Sequence, residues 1–440
     1  MKMSTKIIIL LILIQSFLLY STKTILFPEM YFLPWLVSKG LIPYRDFFDH
    51  HGFLTYYLLG PFASTGNFEA LKLVYITVLA INLTLFLLIL KKTASKWGLI
   101  TGGILYVLIN FYVGENILWY ESFITTLFLL GYYFILNNHK IYLYLTGASI
   151  ALATLIKPTA GITILPLLFN KMKKEIFFGW IIILIGAFLF LLNSNSFSQF
   201  VIGVINYNTF LSSYFHPSFL IPWKFYFLSA GIIIGSIAIL YKEKKHKYIY
   251  LSLIFLTGAV FSLKTGLGGD KLILPATFFT ILIGQAVSDK KNALSKIFIV
   301  IVFFYISILT IKSIGKYDEF KNTRIPWQEE LPIKQTEKEI VEKIKPGENL
   351  YVFSNHAELY MKLNTLPKTY FPLFFPGFKH YFPDLEKKII EELKQNKIKY
   401  IIIPKQSDKE QLQMKKVLQF VEKEYRIETE TDTYKLLKRI

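Results

Sequence analysis

The chain has 440 residues, a formal net charge of +19, 53% hydrophobic residues and no cysteine. The missing cysteine excludes a disulfide framework, a thiolate metal site and a cysteine nucleophile. The positive charge is spread over alternate connecting segments and is not gathered in one patch, which argues against nucleic acid as a partner.

Apolar runs recur that are long enough to cross a hydrocarbon layer of ~30 Å. Taken in order, spans are expected near 7–26, 70–90, 97–113, 117–136, 141–156, 158–170, 176–193, 223–241, 248–263, 271–287 and 295–314, about eleven in all. The first reads as an anchor, since it is long for a cleavable leader and no small-x-small site follows it. The run 158–170 is short enough to be re-entrant. If it crosses, the two termini lie on opposite sides.

Lysine sets the orientation. The segments MKMSTK, KKTASK, NNHK, KMKKE, KEKKHK and SDKKNALSK hold sixteen lysines; the opposite segments hold Lys39, Arg45, Lys157, Lys264 and Lys271, and Lys23, Lys72, Lys224 and Lys312 lie at the outer ends of spans, sixteen against nine at most. The lysine-rich side is therefore expected in the cytoplasm, together with the N-terminus. Of the acids before position 315, Glu29, Asp46, Asp49, Glu69, Glu115, Glu121 and Asp270 fall on the outer side, and only Glu175, Glu243 and Asp289 fall inside. Acids contribute little to orientation, so their gathering outside points to a site there.

The first outer stretch, 27–57, reads FPEMYFLPWLVSKGLIPYRDFFDHHGFLTYY. It combines Glu29, Asp46 and Asp49 with Arg45, the one arginine in the first 314 residues. A carboxylate at the membrane boundary suits general-base work on a hydroxyl. Arg45 offers a planar fork for a phosphate or carboxylate, and His50 and His51 carry charge that changes near physiological pH. The bland alternative is a surface loop whose charges pair with one another. Asp49 with His50 and His51 also has the composition of a divalent-ion site, although no cofactor is required by the residues present. Further on, Glu121 falls about a turn inside the fourth span, where an ionisable group is costly and usually functional. Lys157 lies between apolar runs, able to snorkel or to meet a lipid phosphate. Asp270 and Lys271 follow the turn TGLGG, which is too short of glycine for a nucleotide loop; Lys271 is a second phosphate candidate.

At about 315 the composition changes to a soluble surface. Residues 315–332, with Pro326 and Pro332, read as a linker, and 333–440 as a small α/β domain on the outer side. Helices are expected over 334–344, 383–396 and 407–425, and strands over 349–354, 399–404 and the final TYKLLKR.

The first span, the acid beyond it and IPYRDFFDHHGFLTYYL (42–58) before the second span resemble the GT-C glycosyltransferases. The closer resemblance is to the branch related to protein O-mannosyltransferases and the lipid A aminoarabinose transferase. It covers roughly residues 1–314. The resemblance implies a mainly α polytopic membrane enzyme with outer loop 27–69. Such an enzyme moves a sugar from a polyprenyl-phosphate carrier, with inversion, to a hydroxyl of a protein, lipid or glycan acceptor. It places the family's acidic position after the first span at Glu29, where Pro28 stands in for the usual preceding Asp. Its acidic-basic pair before the second span falls on Asp49-His50, and its second acidic position on Glu121. Its late basic residue falls on Lys271 with Pro275, and its Lys-Pro step on Lys157-Pro158. The readings set against it are a lipid-linked substrate transporter or flippase, which would need charges paired near the midplane and paired broken spans, and a non-enzymatic membrane scaffold.

Overall fold

The computed structural model describes residues 2–114, 116–137, 139–168, 173–214, 223–265, 269–287, 293–322, 335–345, 347–353, 357–405 and 414–440. Glu115, the side chain of Asp270, most of the TGLGG turn, the greater part of the expected linker and the start of the expected last helix lie outside the described residues. The chain divides into two compact units: 1–26, 72–189 and 216–328 form one, and 27–71, 190–215 and 329–440 the other.

The first unit is helical. It contains α1 (Lys2–Ser21), most of α4 (Phe68–Thr93), α5 (Lys96–Gly114), α6 (Tyr120–Ile135), α7 (Lys140–Ile156), α8 (Ile164–Leu168), most of α9 (Lys173–Asn193), α12 (Trp223–Lys242), α13 (His246–Phe261), α14 (Gly269–Ala286) and α15 (Ala293–Asn322). Among the described residues four helices are long and apolar enough to cross a membrane: Phe68–Thr93, Lys96–Gly114, Lys174–Asn193 and Lys296–Gly315. The other expected spans fall on shorter apolar helices, and 158–170 breaks into a 3₁₀ helix, Pro158–Thr163, followed by α8.

Packing here follows membrane rules, in which small residues bring backbones together and buried polar groups satisfy one another. Gly98 of α5 lies so close to α14 that a Cβ on it would stand 2.1 Å from the Gly284 carbonyl oxygen. Leu105 and Ile109 of α5, Ile232 of α12, Phe279 and Ile283 of α14 and Phe298 of α15 pack into one apolar core. Within the bundle Gln285 donates to Thr93 Oγ1 (3.1 Å) and the Tyr132 hydroxyl (3.0 Å), and accepts from Ser252 Oγ (3.0 Å). Two short parallel strands, β1 (Ile25–Leu26) and β2 (Ile117–Leu118), join the end of α1 to the start of α6. Asn116, at φ 54°, makes the turn before β2 and ties its amide to Thr22 Oγ1 (3.0 Å) and the Lys23 carbonyl (2.7 Å).

The second unit gathers three separate pieces of chain. The first holds α2 (Pro28–Ser38), α3 (Leu54–Ala63) and the connection between them. The second is an irregular helical arm: α10 (Phe197–Phe200), a π-helix at Val201–Tyr207 and α11 (Asn208–Tyr214). The third contains α16 (Gln335–Lys343), β3 (Leu350–Val352), α17 (Glu358–Lys362), α18 (Phe378–Tyr381), α19 (Leu385–Gln395), β4 (Tyr400–Pro404), α20 (Lys415–Glu424), β5 (Tyr425–Glu430) and β6 (Tyr434–Arg439). Its sheet runs β3-β4-β6-β5, with β3 and β4 parallel and the remaining pairs antiparallel.

Candidate active site

Glu29 stands in the first turn of α2. Pro28 occupies the first helical position, where its fixed φ suits the helix and its missing N–H costs nothing, after Phe27 in extended backbone. The helix is enclosed on several sides. Gly60 of α3 comes within 3.4 Å of the Pro34 carbonyl oxygen, measured from an added Cβ. Phe32 stacks on Tyr360 of α17 with ring centroids 5.6 Å apart. The Tyr31 hydroxyl donates to Glu358 Oε2 at 3.1 Å. One oxygen of Glu29, Oε2, is buried with no hydrogen-bond partner. Burial pushes the Glu29 carboxyl above the usual carboxylate range; the charge of His51 works against this, and that of Asp49 reinforces it.

Those two residues belong to the connection 39–53. Asp49 is fully buried. Its Oδ2 accepts from the His51 backbone N–H at 3.0 Å and from the Tyr56 hydroxyl, and its Oδ1 faces His51 Nδ1 at 3.1 Å. Each of these contacts fixes the carboxylate, and the last orients the His51 ring in the manner of a carboxylate–imidazole pair. The His50 ring lies 3.9 Å from that of His51, centroid to centroid. Asp49, His50 and His51 place one carboxylate oxygen and two imidazole nitrogens within 4.8 Å of one another, a donor set that fits a divalent cation.

Asp46 does different work. Arg45 donates to both of its oxygens, from Nε and a terminal nitrogen, each at 2.8 Å, and the Ile42 backbone N–H donates to Oδ2 at 2.7 Å. Partial burial raises the Asp46 carboxyl, but these donors outweigh it and hold the group below its ordinary value. Arg45 thus spends its fork on its neighbour, with 43% of its side chain exposed.

Glu121, Lys157 and Lys271 belong to the first unit. Lys157, read from the sequence as able to snorkel or to meet a lipid phosphate, has a partner: its Nζ donates to Glu121 Oε1 at 2.7 Å, with Glu121 1% and Lys157 14% exposed. Glu121 stands in the first turn of α6, and Lys157 at the break between α7 and the 3₁₀ helix. Glu121 Oε2 is buried without a hydrogen-bond partner. Lys271 opens α14 and forms no ion pair with a described residue.

The sequence reading missed the groups that hold the 39–53 connection from outside, namely Tyr207, Asn208, Tyr370 and Phe375. The available signal was the run TYFPLFFPGFKHYF at 369–382, dense in aromatics inside an otherwise charged region.

No family model and no curated protein matches this sequence. The fold is nonetheless similar to that of a solved structure over almost the whole chain. The chain is similar to the crystal structure of ArnT from Cupriavidus metallidurans bound to undecaprenyl phosphate, at 9% identity, over 99% of this chain and 98% of that one, with a TM-score of 0.56. It also aligns with the Archaeoglobus fulgidus oligosaccharyltransferase tethered to an acceptor peptide, at 11% identity and TM-score 0.49, over 90% of this chain and 69% of that one. A structure of AglB from the same organism, in complex with an inhibitory peptide and a dolichol-phosphate, aligns at 10% identity and TM-score 0.49, over 91% and 69%. The likeness to ArnT and the apolar helices together make the chain a multi-pass membrane protein.

Proposed function

We propose that this chain is a membrane glycosyltransferase that moves a sugar from a polyprenyl-phosphate carrier to an acceptor hydroxyl on the outer face, with inversion at the anomeric carbon. The observation that carries the reading is the buried, fixed Asp49–His51 pair, together with a nearby carboxylate, Glu29, one oxygen of which is buried without a hydrogen-bond partner and which feels both charges. The likeness to the ArnT fold over almost the whole chain supports it.

In this reading Glu29 takes the proton from the acceptor hydroxyl as its oxygen attacks the anomeric carbon, and the bond to the carrier phosphate breaks on the opposite face. Asp49 orients His51 beside the reacting hydroxyl. A phosphate leaving group needs charge stabilisation more than a proton. Lys271, which forms no ion pair with a described residue, is the cation assigned to that role. The acceptor is a protein, lipid or glycan hydroxyl. No nucleotide sugar and no metal is required. The N-terminus is cytoplasmic, and residues 333–440 lie on the outer side.

The test is transfer itself. Membranes containing the protein are incubated with a panel of radiolabelled polyprenyl-phosphate sugars and with crude cell-envelope acceptors. Labelled product is expected with the wild type and not with Glu29→Gln. No transfer from any donor of that class, by protein verified as folded, would overturn the reading.

A further inference from the structure

The connection carrying Asp49 has no regular secondary structure to hold it, yet its backbone is pinned from two sides. The Phe48 N–H donates to the Tyr370 carbonyl at 2.7 Å, and the Tyr370 hydroxyl donates to the Tyr44 carbonyl at 2.8 Å. From the other side the Asn208 amide donates to the His50 carbonyl at 2.5 Å. The π-helix approaches so closely that a Cβ on Gly203 would stand 2.2 Å from the Asp49 carbonyl oxygen. Main-chain groups before and after Asp49 are thus hydrogen-bonded, and its own carbonyl is closely packed.

The two sides also hold each other. The Tyr207 hydroxyl donates to the Pro376 carbonyl at 2.5 Å. The Phe48 ring fills the space between them, with Phe378, Phe382 and Tyr207 at centroid distances of 5.0, 5.3 and 5.6 Å.

We propose that the 369–382 segment and the π-helical arm form a clamp that sets the backbone of residues 44–51, which makes Tyr370 and Asn208 positioning residues for Asp49 and His51. This rests on the glycosyltransferase reading above. The arrangement has a physical rationale. A reacting group must sit within a fraction of an ångström of its working position, and a displacement of about 1 Å can cost on the order of 10²-fold in rate. A loop alone does not hold that tolerance, whereas bonds from packed elements on both sides do. A π-helix is a rare geometry found most often at functional sites. Here it brings Gly203 against Asp49 and Asn208 against His50 within six residues.

The test uses the full chain with Tyr370→Phe, which keeps the ring and deletes only the hydroxyl, and Asn208→Ala, with Gly203→Ala as an independent steric route. Each is assayed for transfer and mapped by hydrogen–deuterium exchange. The clamp predicts that kcat falls about 10- to 100-fold with donor KM within about twofold, and that exchange rises at 44–51 while the sheet strands keep wild-type protection. Unchanged kcat and unchanged exchange at 44–51 would overturn it. So would a loss of protection spread through 329–440, which marks a merely structural role. If the wild type transfers no sugar, the functional reading fails separately, and the exchange map still decides whether these residues hold the loop.

Discussion

Three carboxylates of the stretch 27–57 that look alike in sequence occupy different environments. Glu29 has a buried oxygen with no partner, Asp49 is bonded by Tyr56 and His51, and Asp46 is locked to Arg45 and the Ile42 N–H. Glu29→Gln is expected to lower kcat by about 10²–10⁴-fold, the usual loss for a positioned base. Asp49→Asn is expected to lower it through misorientation of His51. Asp46→Asn is expected to shift thermal stability slightly and to leave turnover per folded molecule near wild type. Steady-state kinetics on monodisperse protein separates the three, and equal loss in all would reject the division of roles. Because burial raises the Glu29 carboxyl, activity should fall as pH drops through a value above the ordinary carboxylate range, and that acid limb should vanish in Glu29→Gln. A half-buried acid gives a stability test. Glu392 accepts from the Tyr370 N–H at 3.1 Å, and burial raises its carboxyl from 4.5 to about 7. A carboxyl whose pKa is higher folded than unfolded binds more protons in the folded state, so its contribution is full at low pH and is lost as pH rises through the folded value. Wild-type melting temperature should therefore decline between about pH 5 and 8, and less steeply in Glu392→Gln. A parallel decline in both would assign the effect to another group.

At the scale of elements, legibility followed periodicity. The helices expected over 334–344 and 383–396 are Gln335–Lys343 and Leu385–Gln395, and the strands expected at 349–354 and 399–404 are Leu350–Val352 and Tyr400–Pro404. β5 was not legible, because α20 passes into it at Tyr425 with no intervening turn and its residues are mostly exposed, without apolar alternation. Helices α2 and α3 were read as loop, since Pro34 and Pro61 interrupt them and their faces are apolar or aromatic all round. The Glu121–Lys157 pair was equally hidden: both residues were singled out, but 36 positions separate them and only the packing of α6 against α7 joins them. Removing one partner of a buried pair leaves an uncompensated charge at a cost of about 3–5 kcal/mol. Lys157→Met alone should therefore destabilise the protein in detergent, and adding Glu121→Gln should restore most of the loss. Lys271→Ala should keep the fold and raise the donor KM. A Lys157→Met variant as stable as wild type would mean that the pair does not hold the helices. The α5–α14 crossing gives a steric counterpart. Gly98→Val would drive a side chain into the Gly284 carbonyl, with an overpacking cost of about 1–3 kcal/mol, whereas the same change at Gly186, with nothing within 4 Å, should be nearly silent. Equal melting temperatures for the two variants would remove the close crossing from the account.

For the whole molecule the property on which the proposed transfer turns is which side of the membrane carries the acids, because a lipid-linked donor would have to be met on the face where its headgroup is displayed. One set of segments holds sixteen lysines, against four lysines and Arg45 in the other and four more lysines at outer span ends, and on that split 27–69 is expected outside. That expectation needs no knowledge of the fold, because positive charge is selected by insertion and not by packing. The meeting of residues 27–71, 190–215 and 329–440 in one unit was not legible, since it depends on contacts across three hundred positions. The absence of cysteine makes the orientation directly measurable, because a single introduced thiol is the only target for a maleimide. Ser38 and Lys244 are both exposed and lie in segments of opposite assignment. Ser38→Cys should react with a membrane-impermeant maleimide in intact cells, and Lys244→Cys only after the cells are opened. With the order reversed, Glu29 and Asp49 would face the cytoplasm, and a donor displayed on the outer face could not reach them. With both sites labelled in intact cells, the protein would be leaky or misinserted, and the positive-inside assignment would have to be rebuilt from thiols placed in each remaining loop.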